Sequence, residues 1–397
     1  MGIHTEEILN RQSPLSTNKL AGLYVHIPYC TQKCPYCSFN SYQSIEGSVP
    51  EERYFNALKK ELATVIKNYD STLPFETIYF GGGTPSIIKP SLINDFISHV
   101  KSNYKTTDDI EVTIEANPET ITKEKLNAWK DGGVNRLSMG TQSFNDKELI
   151  KLGRGHDSKK SEESIQLARE AGFTNLSLDL IFALEGQSKE DFLFSLNKVI
   201  SFKPEHISLY GLTIEEGTLY HTKHSEGTLK TMADDKELDL YKTAIETLET
   251  YGYIQYELSN FSLPGFESRH NSKYWDLSPY IGLGSGAHSY NSNHYKNTSV
   301  RSYNEKDPDR YMELAETKGS AVSYKEELTR DEQITERIFL GLRTMKGLNI
   351  AEFEADFGLH PTEAMTRKNA IEDGLVIISD GYLKLTRKGI FLANEVY

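Results

Sequence analysis

From Leu23 to about Phe261 the chain alternates short β-rich runs with amphipathic helical runs, the pattern of a parallel sheet covered by helices. Strands are predicted at 23–27, 77–81, 110–116, 135–141, 175–182, 206–212 and 254–259, where β-branched and aromatic residues concentrate. Helical periodicity fills the gaps at Glu52–Asn68, Ser91–Tyr104, Lys123–Asp131, Lys160–Ala171, Ser188–Phe202 and Asp234–Tyr251; Leu58, Leu62, Val65 and Ile66 form one apolar stripe. Six or seven such units predict an α/β fold built on a partial (β/α) barrel. In that architecture chemistry sits in the loops after the carboxyl ends of the strands.

Around this core the 397 residues divide into an amino-terminal segment at 1–22, the barrel at 23–262, a loop-rich stretch at 263–306 and a helical region at 307–397. The last region shows helical runs at 307–317, 329–344 and 361–373, then Val376–Ile378, a turn at Asp380–Gly381, and Tyr382–Leu385. Helices followed by a hairpin predict a smaller winged-helix-like domain. Ten Lys and Arg against thirteen Asp and Glu over 325–397 argue against DNA as its partner. The formal net charge of −13 extends this to nucleic acid in general. No apolar run approaches a membrane span and no targeting signal is readable, so a cytoplasmic location is expected, with room only for peripheral membrane association.

All three cysteines fall between Cys30 and Cys37, directly after the first predicted strand. Such clustering in an intracellular chain reads as metal ligation rather than a disulfide framework. The spacing C-x₃-C-x₂-C lets one loop wrap a compact cluster, with Pro28 and Pro35 restricting the backbone that aims the sulfurs. The alternative is a structural zinc site completed by His26, which would have to reach around the loop from inside the strand. Gly81, Gly82, Gly83 and Thr84 follow the second predicted strand, where absent side chains allow a ligand close to the backbone. Glu115, Gln142 and Asp179 are polar groups on inner strand positions that need a protein or ligand partner. Arg154, between Gly153 and Gly155, suits a loop closing on a carboxylate. Gly282-Leu-Gly-Ser-Gly286 does not join a first strand to a helix, so it reads as close backbone packing and not as a dinucleotide loop.

The cysteine loop resembles that of the radical S-adenosylmethionine (SAM) superfamily. The segments Leu23–Phe39, Tyr79–Ser86, Thr113–Pro118, Arg136–Phe144 and Leu152–His156 are, in this order, similar to the oxygen-independent coproporphyrinogen III oxidase family and its non-oxidase relatives, the heme chaperones. The resemblance implies a radical SAM barrel and a [4Fe–4S] cluster on Cys30, Cys34 and Cys37, whose fourth iron binds S-adenosylmethionine. It also implies cofactor contacts from Tyr24, Tyr36, Gly82, Gly83, Thr84, Glu115, Gln142, Arg154 and Asp179, to one or two molecules of S-adenosylmethionine. The chemistry implied is reductive cleavage of the sulfonium to a 5′-deoxyadenosyl radical. One departure stands at Glu185, where the family usually has proline.

Three features favour the chaperone branch over the dehydrogenases that convert two propionates of coproporphyrinogen III to vinyl groups. Phe39 stands where the dehydrogenases carry a further cysteine. Only 29 residues precede Cys30, fewer than the segment those enzymes fold over their substrate. Finally, His270-Asn-Ser-Lys-Tyr-Trp275 matches the H-N-x-x-Y-W motif of the chaperones. The resemblance therefore implies a protein that binds heme and delivers it to a heme-acceptor protein, with His270 as a candidate iron ligand and Tyr274 and Trp275 against the porphyrin.

Overall fold

The computed structural model describes residues 20–44, 47–69, 73–293 and 298–396, so all but the last three residues of the expected 1–22 segment lie outside it. It falls into two compact units, Ala21–Leu328 and a second that begins at Thr329. Strands of the first unit are β1 (Ala21–Ile27), β2 (Tyr29–Cys30), β3 (Tyr42–Gln43), β4 (Phe75–Gly82), β5 (Thr106–Ala116), β6 (Arg136–Gln142), β7 (Leu176–Phe182) and β8 (His206–Gly211). They continue with β9 (Ile254–Glu257), β10 (Asn260–Ser262), β11 (Tyr280–Leu283), β12 (His288–Asn293), β13 (Thr298–Asn304) and β14 (Val322–Glu327). One twelve-stranded sheet runs β14-β13-β12-β11-β1-β4-β5-β6-β7-β8-β10-β9. It is parallel from β11 through β8 and antiparallel at both ends, which makes it an incomplete barrel.

Alternation explains the barrel wall. In β1, Leu23, Val25 and Ile27 are wholly buried, a contribution of roughly 1.5–3 kcal/mol each, while Tyr24 and His26 take the opposite face. The inner face is polar, with hydrogen bonds between strands: Tyr79 donates to Glu115 at 2.7 Å, and Ser177 meets the His206 ring at 2.8 Å. The helices are α1 (Glu51–Val65), α2 (Pro90–Asn103), α3 (Lys123–Asp131), α4 (Asp146–Lys151), α5 (Ser158–Glu170), α6 (Lys189–Ser201), α7 (Leu219–Ser225), α8 (Asp234–Thr250), α9 (Arg269–Asp276) and α10 (Pro308–Lys318).

The stretch 263–306 is not the loop the sequence suggested. It forms α9 and β11–β13, and with α10 and β14 it belongs to the barrel unit. Helix α9 sits at the amino ends of the strands. The Glu111 carboxylate accepts from the His270 and Arg269 backbone N–H groups at 3.1 and 3.2 Å, Arg269 donates to Asp109 at 2.9 Å, and Lys273 pairs with Glu76 at 2.6 Å. The expected strand at 254–259 instead turns back as the antiparallel pair β9 and β10. Gly282 and Gly284 do serve close packing: an added Cβ would lie 2.0 Å from the His288 carbonyl and 2.6 Å from that of His26.

From Thr329 the second unit builds α11 (Arg330–Leu342), β15 (Leu348–Asn349), α12 (Ile350–Phe357), α13 (Pro361–Ala364), β16 (Val376–Ser379), β17 (Tyr382–Leu385) and α14 (Arg387–Phe391). A Thr329–Glu332 capping box starts α11. Its hairpin turns at Asp380–Gly381, both residues left-handed, and β15 adds a third strand that the sequence did not announce. The helix expected over 361–373 stops at Ala364. No helix among the described residues is long and apolar enough to cross a membrane.

Buried Glu61 on α1 ties the later elements to the barrel. Its carboxylate accepts from Tyr311 of α10 at 2.6 Å, Asn304 of β13 at 2.7 Å and the Gly284 N–H at 3.1 Å. Burial raises its pKa from 4.5 to about 7, with these hydrogen bonds holding it back from rising further. The native state therefore keeps a proton that the unfolded chain has lost. The stabilisation this gives is complete below the unfolded pKa and disappears as pH rises to about 7. Against Glu61→Gln, which does not titrate, the wild type should lose relative stability between about pH 5 and about pH 7.5 in denaturant unfolding. A pH-independent difference would contradict this.

Candidate functional site

At the carboxyl ends of the strands lies a cavity of about 350 Å³ with all three cysteines in its wall. The loop that carries them leaves β1 through Pro28, and β2 pairs with β3 beyond the loop to close its base. Inside the loop the Cys37 N–H donates to the Cys34 carbonyl at 3.1 Å, making a tight turn that brings these two thiols to the same side. Thr84 donates to the Cys30 sulfur at 3.4 Å and Arg154 to the Cys34 sulfur at 3.5 Å. Burial pushes the thiol pKa values of Cys30 and Cys37 up, so ligation of a metal would have to displace their protons.

His26 is not a fourth ligand. Its Nδ1 meets the Tyr24 hydroxyl at 2.9 Å and its Nε2 the Asn40 carbonyl at 2.8 Å, so both ring nitrogens are already engaged. The fourth ligand that the zinc alternative requires is thus already engaged by Tyr24 and Asn40.

Eight of the predicted cofactor residues share the cavity with the cysteines: Tyr36, Gly82, Gly83, Thr84, Glu115, Gln142, Arg154 and Asp179. Arg154 donates to Asn117 at 2.7 Å and to the Gly140 carbonyl at 3.0 Å, but it has no carboxylate partner among the described residues and its Nε is buried without an acceptor. Burial disfavours its charge, yet Tyr36, Cys34 and Glu119 hold it protonated. Gln142 has a left-handed backbone, φ 62°, a strained conformation for a residue with a side chain, and its amide has no hydrogen-bond partner among the described residues. Burial raises the Glu115 pKa to about 7, and Asp179 is raised by the same cause. The cavity thus offers three thiols, a guanidinium with no carboxylate in direct contact and an unengaged amide, a donor set suited to a ligand with both a carboxylate and a positive group.

Two predicted residues lie elsewhere. Tyr24 lines a second cavity, on the other side of the Ser38–Ser41 segment. His270 lines neither cavity: it is buried in α9, with Nδ1 2.7 Å from the Thr77 hydroxyl and Nε2 3.0 Å from the Tyr274 hydroxyl. The expectation of an imidazole free on a loop is thereby corrected, because both its nitrogens are engaged inside the barrel. Trp275 lines neither cavity either. Missed by the sequence reading were Asn117, which orients Arg154, Tyr210 near the end of β8, and Leu212 just after it. Asn117 lies within the Thr113–Pro118 segment and was legible there as a polar residue just past a strand end.

The glycines answer to the fold as much as to a ligand. Gly82 has φ 113°, and a Cβ there would lie 2.5 Å from the His26 ring; at Gly83 it would lie 2.7 Å from the Tyr29 carbonyl and 3.0 Å from the Cys30 sulfur.

The chain matches the radical SAM superfamily over residues 24–199 and the HemN C-terminal domain over residues 328–392. It is 37% identical to the heme chaperone HemW of Bacillus subtilis over 378 residues, covering 94% of this chain and 97% of that protein. It is 35% identical to the mouse mitochondrial radical S-adenosyl methionine domain-containing protein 1, covering 97% and 88% of the two chains. The crystal structure of Escherichia coli coproporphyrinogen III oxidase HemN, a radical SAM enzyme, shares the fold with a TM-score of 0.78 at 23% identity, over 95% of this chain and 89% of that one.

The glycine geometry generates a test. Gly82→Ala should cost roughly 1–3 kcal/mol in denaturant unfolding, from left-handed backbone strain and the contact with His26. An unchanged midpoint would show that the turn is free to shift.

Proposed function

The chain belongs to the HemW family of radical SAM proteins, and from that premise we propose that it binds heme and passes it to acceptor proteins. We further propose that it carries a [4Fe–4S] cluster on Cys30, Cys34 and Cys37, with S-adenosylmethionine beside it. The donor set supports the cluster. Three thiols with no fourth protein ligand leave one iron for an exogenous amino and carboxylate group. Arg154, whose Nε has no acceptor among the described residues, suits a ligand carboxylate, and Gln142, Glu115 and Asp179 suit the polar parts of the same molecule. Thr84 and Arg154 also donate to thiol sulfurs, hydrogen bonds of the kind that tune a cluster's potential. When bound, the cluster supplies the electron for reductive cleavage of the sulfonium.

The observation that carries the chaperone reading over the dehydrogenase is Phe39. It lines the cavity two residues from Cys37, where the resemblance gives the dehydrogenases another cysteine, and its ring is 64% exposed. An apolar ring at this point can cover a macrocycle but cannot transfer a proton or ligate metal.

His270 could serve as a heme ligand only if α9 withdrew from the amino ends of the strands, giving up its bonds to Thr77 and Glu111.

The test is anaerobic incubation of cluster-loaded protein with coproporphyrinogen III, S-adenosylmethionine and reductant, alongside a heme titration. We expect no protoporphyrinogen and saturable binding of about one heme per chain. Turnover to protoporphyrinogen, or only nonsaturable heme association, would overturn the reading.

A further inference from the structure

The second cavity, of about 580 Å³, is within the range of small-molecule and cofactor sites. Segment Ser38–Ser41 lines both, so a ligand in one would lie next to a ligand in the other. Its walls are aromatic, with Tyr24 from β1, Phe39 and Tyr42 from the cysteine loop, Tyr274 from α9 and Tyr280 from β11. Phe39 and Tyr42 are exposed.

One imidazole in this wall differs from three histidines that line or underlie the barrel interior. His26, His206 and His270 have both ring nitrogens hydrogen-bonded. His288, the first residue of β12, is exposed, rests against the Tyr303 ring at 5.3 Å between centroids, and has no hydrogen bond to its ring among the described residues. Two ammonium groups stand by it. Lys33 donates to the Ser41 carbonyl at 3.0 Å and keeps further donors, and the Lys306 side chain has no ion pair or hydrogen bond among the described residues.

Heme is a flat aromatic macrocycle with an iron that takes a nitrogen ligand and two propionates that take cations. The cavity presents a counterpart for each part. We propose that it is the heme site, with His288 ligating the iron and Lys33 and Lys306 facing the propionates. This rests on the heme-binding reading above and deepens it. Partial burial and the Lys306 charge lower the His288 pKa, which keeps the imidazole neutral and able to ligate at neutral pH. His270 is then a positioning residue: its Nε2 holds the hydroxyl of Tyr274, whose ring lines the cavity. That role accounts for a His and a Tyr four residues apart on α9 without opening the helix.

The test is an anaerobic titration of heme into the cluster-loaded protein, comparing wild type with His288→Ala, His288→Tyr and His270→Ala by Soret absorption and electron paramagnetic resonance of ferric heme. His288→Ala should lose the nitrogen-ligated signature and bind heme about tenfold or more weakly, a loss of about 1.4 kcal/mol or more. Added imidazole should restore the signature. His288→Tyr should show an oxygen-ligated spectrum, and His270→Ala should keep the wild-type ligation while broadening it or weakening affinity less. Iron–sulfur absorbance should be the same in all four proteins, which controls for folding. If His288→Ala and His288→Tyr both keep the wild-type spectrum and affinity, heme sits elsewhere and this inference fails while the chaperone reading stands. If His288→Ala keeps heme but loses S-adenosylmethionine affinity, the cavity takes the adenosyl group and the inference also fails. If the wild type itself binds no heme saturably, both fall.

Discussion

Two backbone hydrogen bonds seat the cysteine loop on the barrel: Gly83 N–H to the Ile27 carbonyl at 2.7 Å and Thr84 N–H to the Tyr29 carbonyl at 2.8 Å. They join the end of β4 to the chain leaving β1 so closely that no side chain fits at Gly83. Everything at the carboxyl end follows from this contact. It sets Cys30 against Thr84 and lets Gly82 donate to Glu115. It also leaves the His26 ring packed under the turn, where His26 reaches the Asn40 carbonyl, and Asn40 in turn bonds the Ser285 hydroxyl and backbone. The cysteine loop is thus held from both sides, by β4 and by the turn between β11 and β12.

The barrel interior is polar along its length, and its charges are only partly compensated. Arg136 is almost completely buried, yet its Nε and Nη1 have no acceptor among the described residues. Its charge draws down the pKa values of Glu115 and Asp179, which burial otherwise raises. Such an interior costs stability relative to an apolar one, because each buried polar group needs a partner. Here it supplies electrostatics under the first cavity. At the amino ends the same polarity receives α9 through Glu111, Asp109 and Glu76, so a helix with little apolar content is held by charge. The network then runs from His270 through Thr77 at one end to Tyr79 and Glu115 at the other, with the Tyr79 and His270 rings stacked 4.9 Å apart.

Periodicity and local motif carried the sequence reading well where contacts are local. The barrel strands, their helices and the cysteine loop were legible because alternation and thiol spacing act over a few residues. The stretch 263–306 was not. Its strands β11–β13 are four to seven residues long and rich in Ser, Asn and Tyr, and what orders them is distant: Glu111 lies 159 residues before His270, and Glu61 lies 243 before Asn304. His270 looked like a free loop ligand for the same reason, since Thr77 is 193 residues away. The glycine turn was legible as a place for close approach, and the fold adds a cause the sequence does not show, the His26 ring and the Cys30 sulfur packed against it. His288 drew no attention beside the stronger motif at 270–275, because only the fold places it beside Tyr303, Lys33 and Lys306 in the wall of the second cavity.

The central claim is that three thiolates hold a cluster with one iron open to S-adenosylmethionine. Its most direct test is electron–nuclear double resonance on the reduced, reconstituted protein with S-adenosylmethionine labelled with ¹⁵N at the amino group and ¹⁷O at the carboxylate. The account predicts hyperfine coupling from both labels to the cluster signal. A reduced cluster saturated with the labelled molecule and showing neither coupling would contradict it.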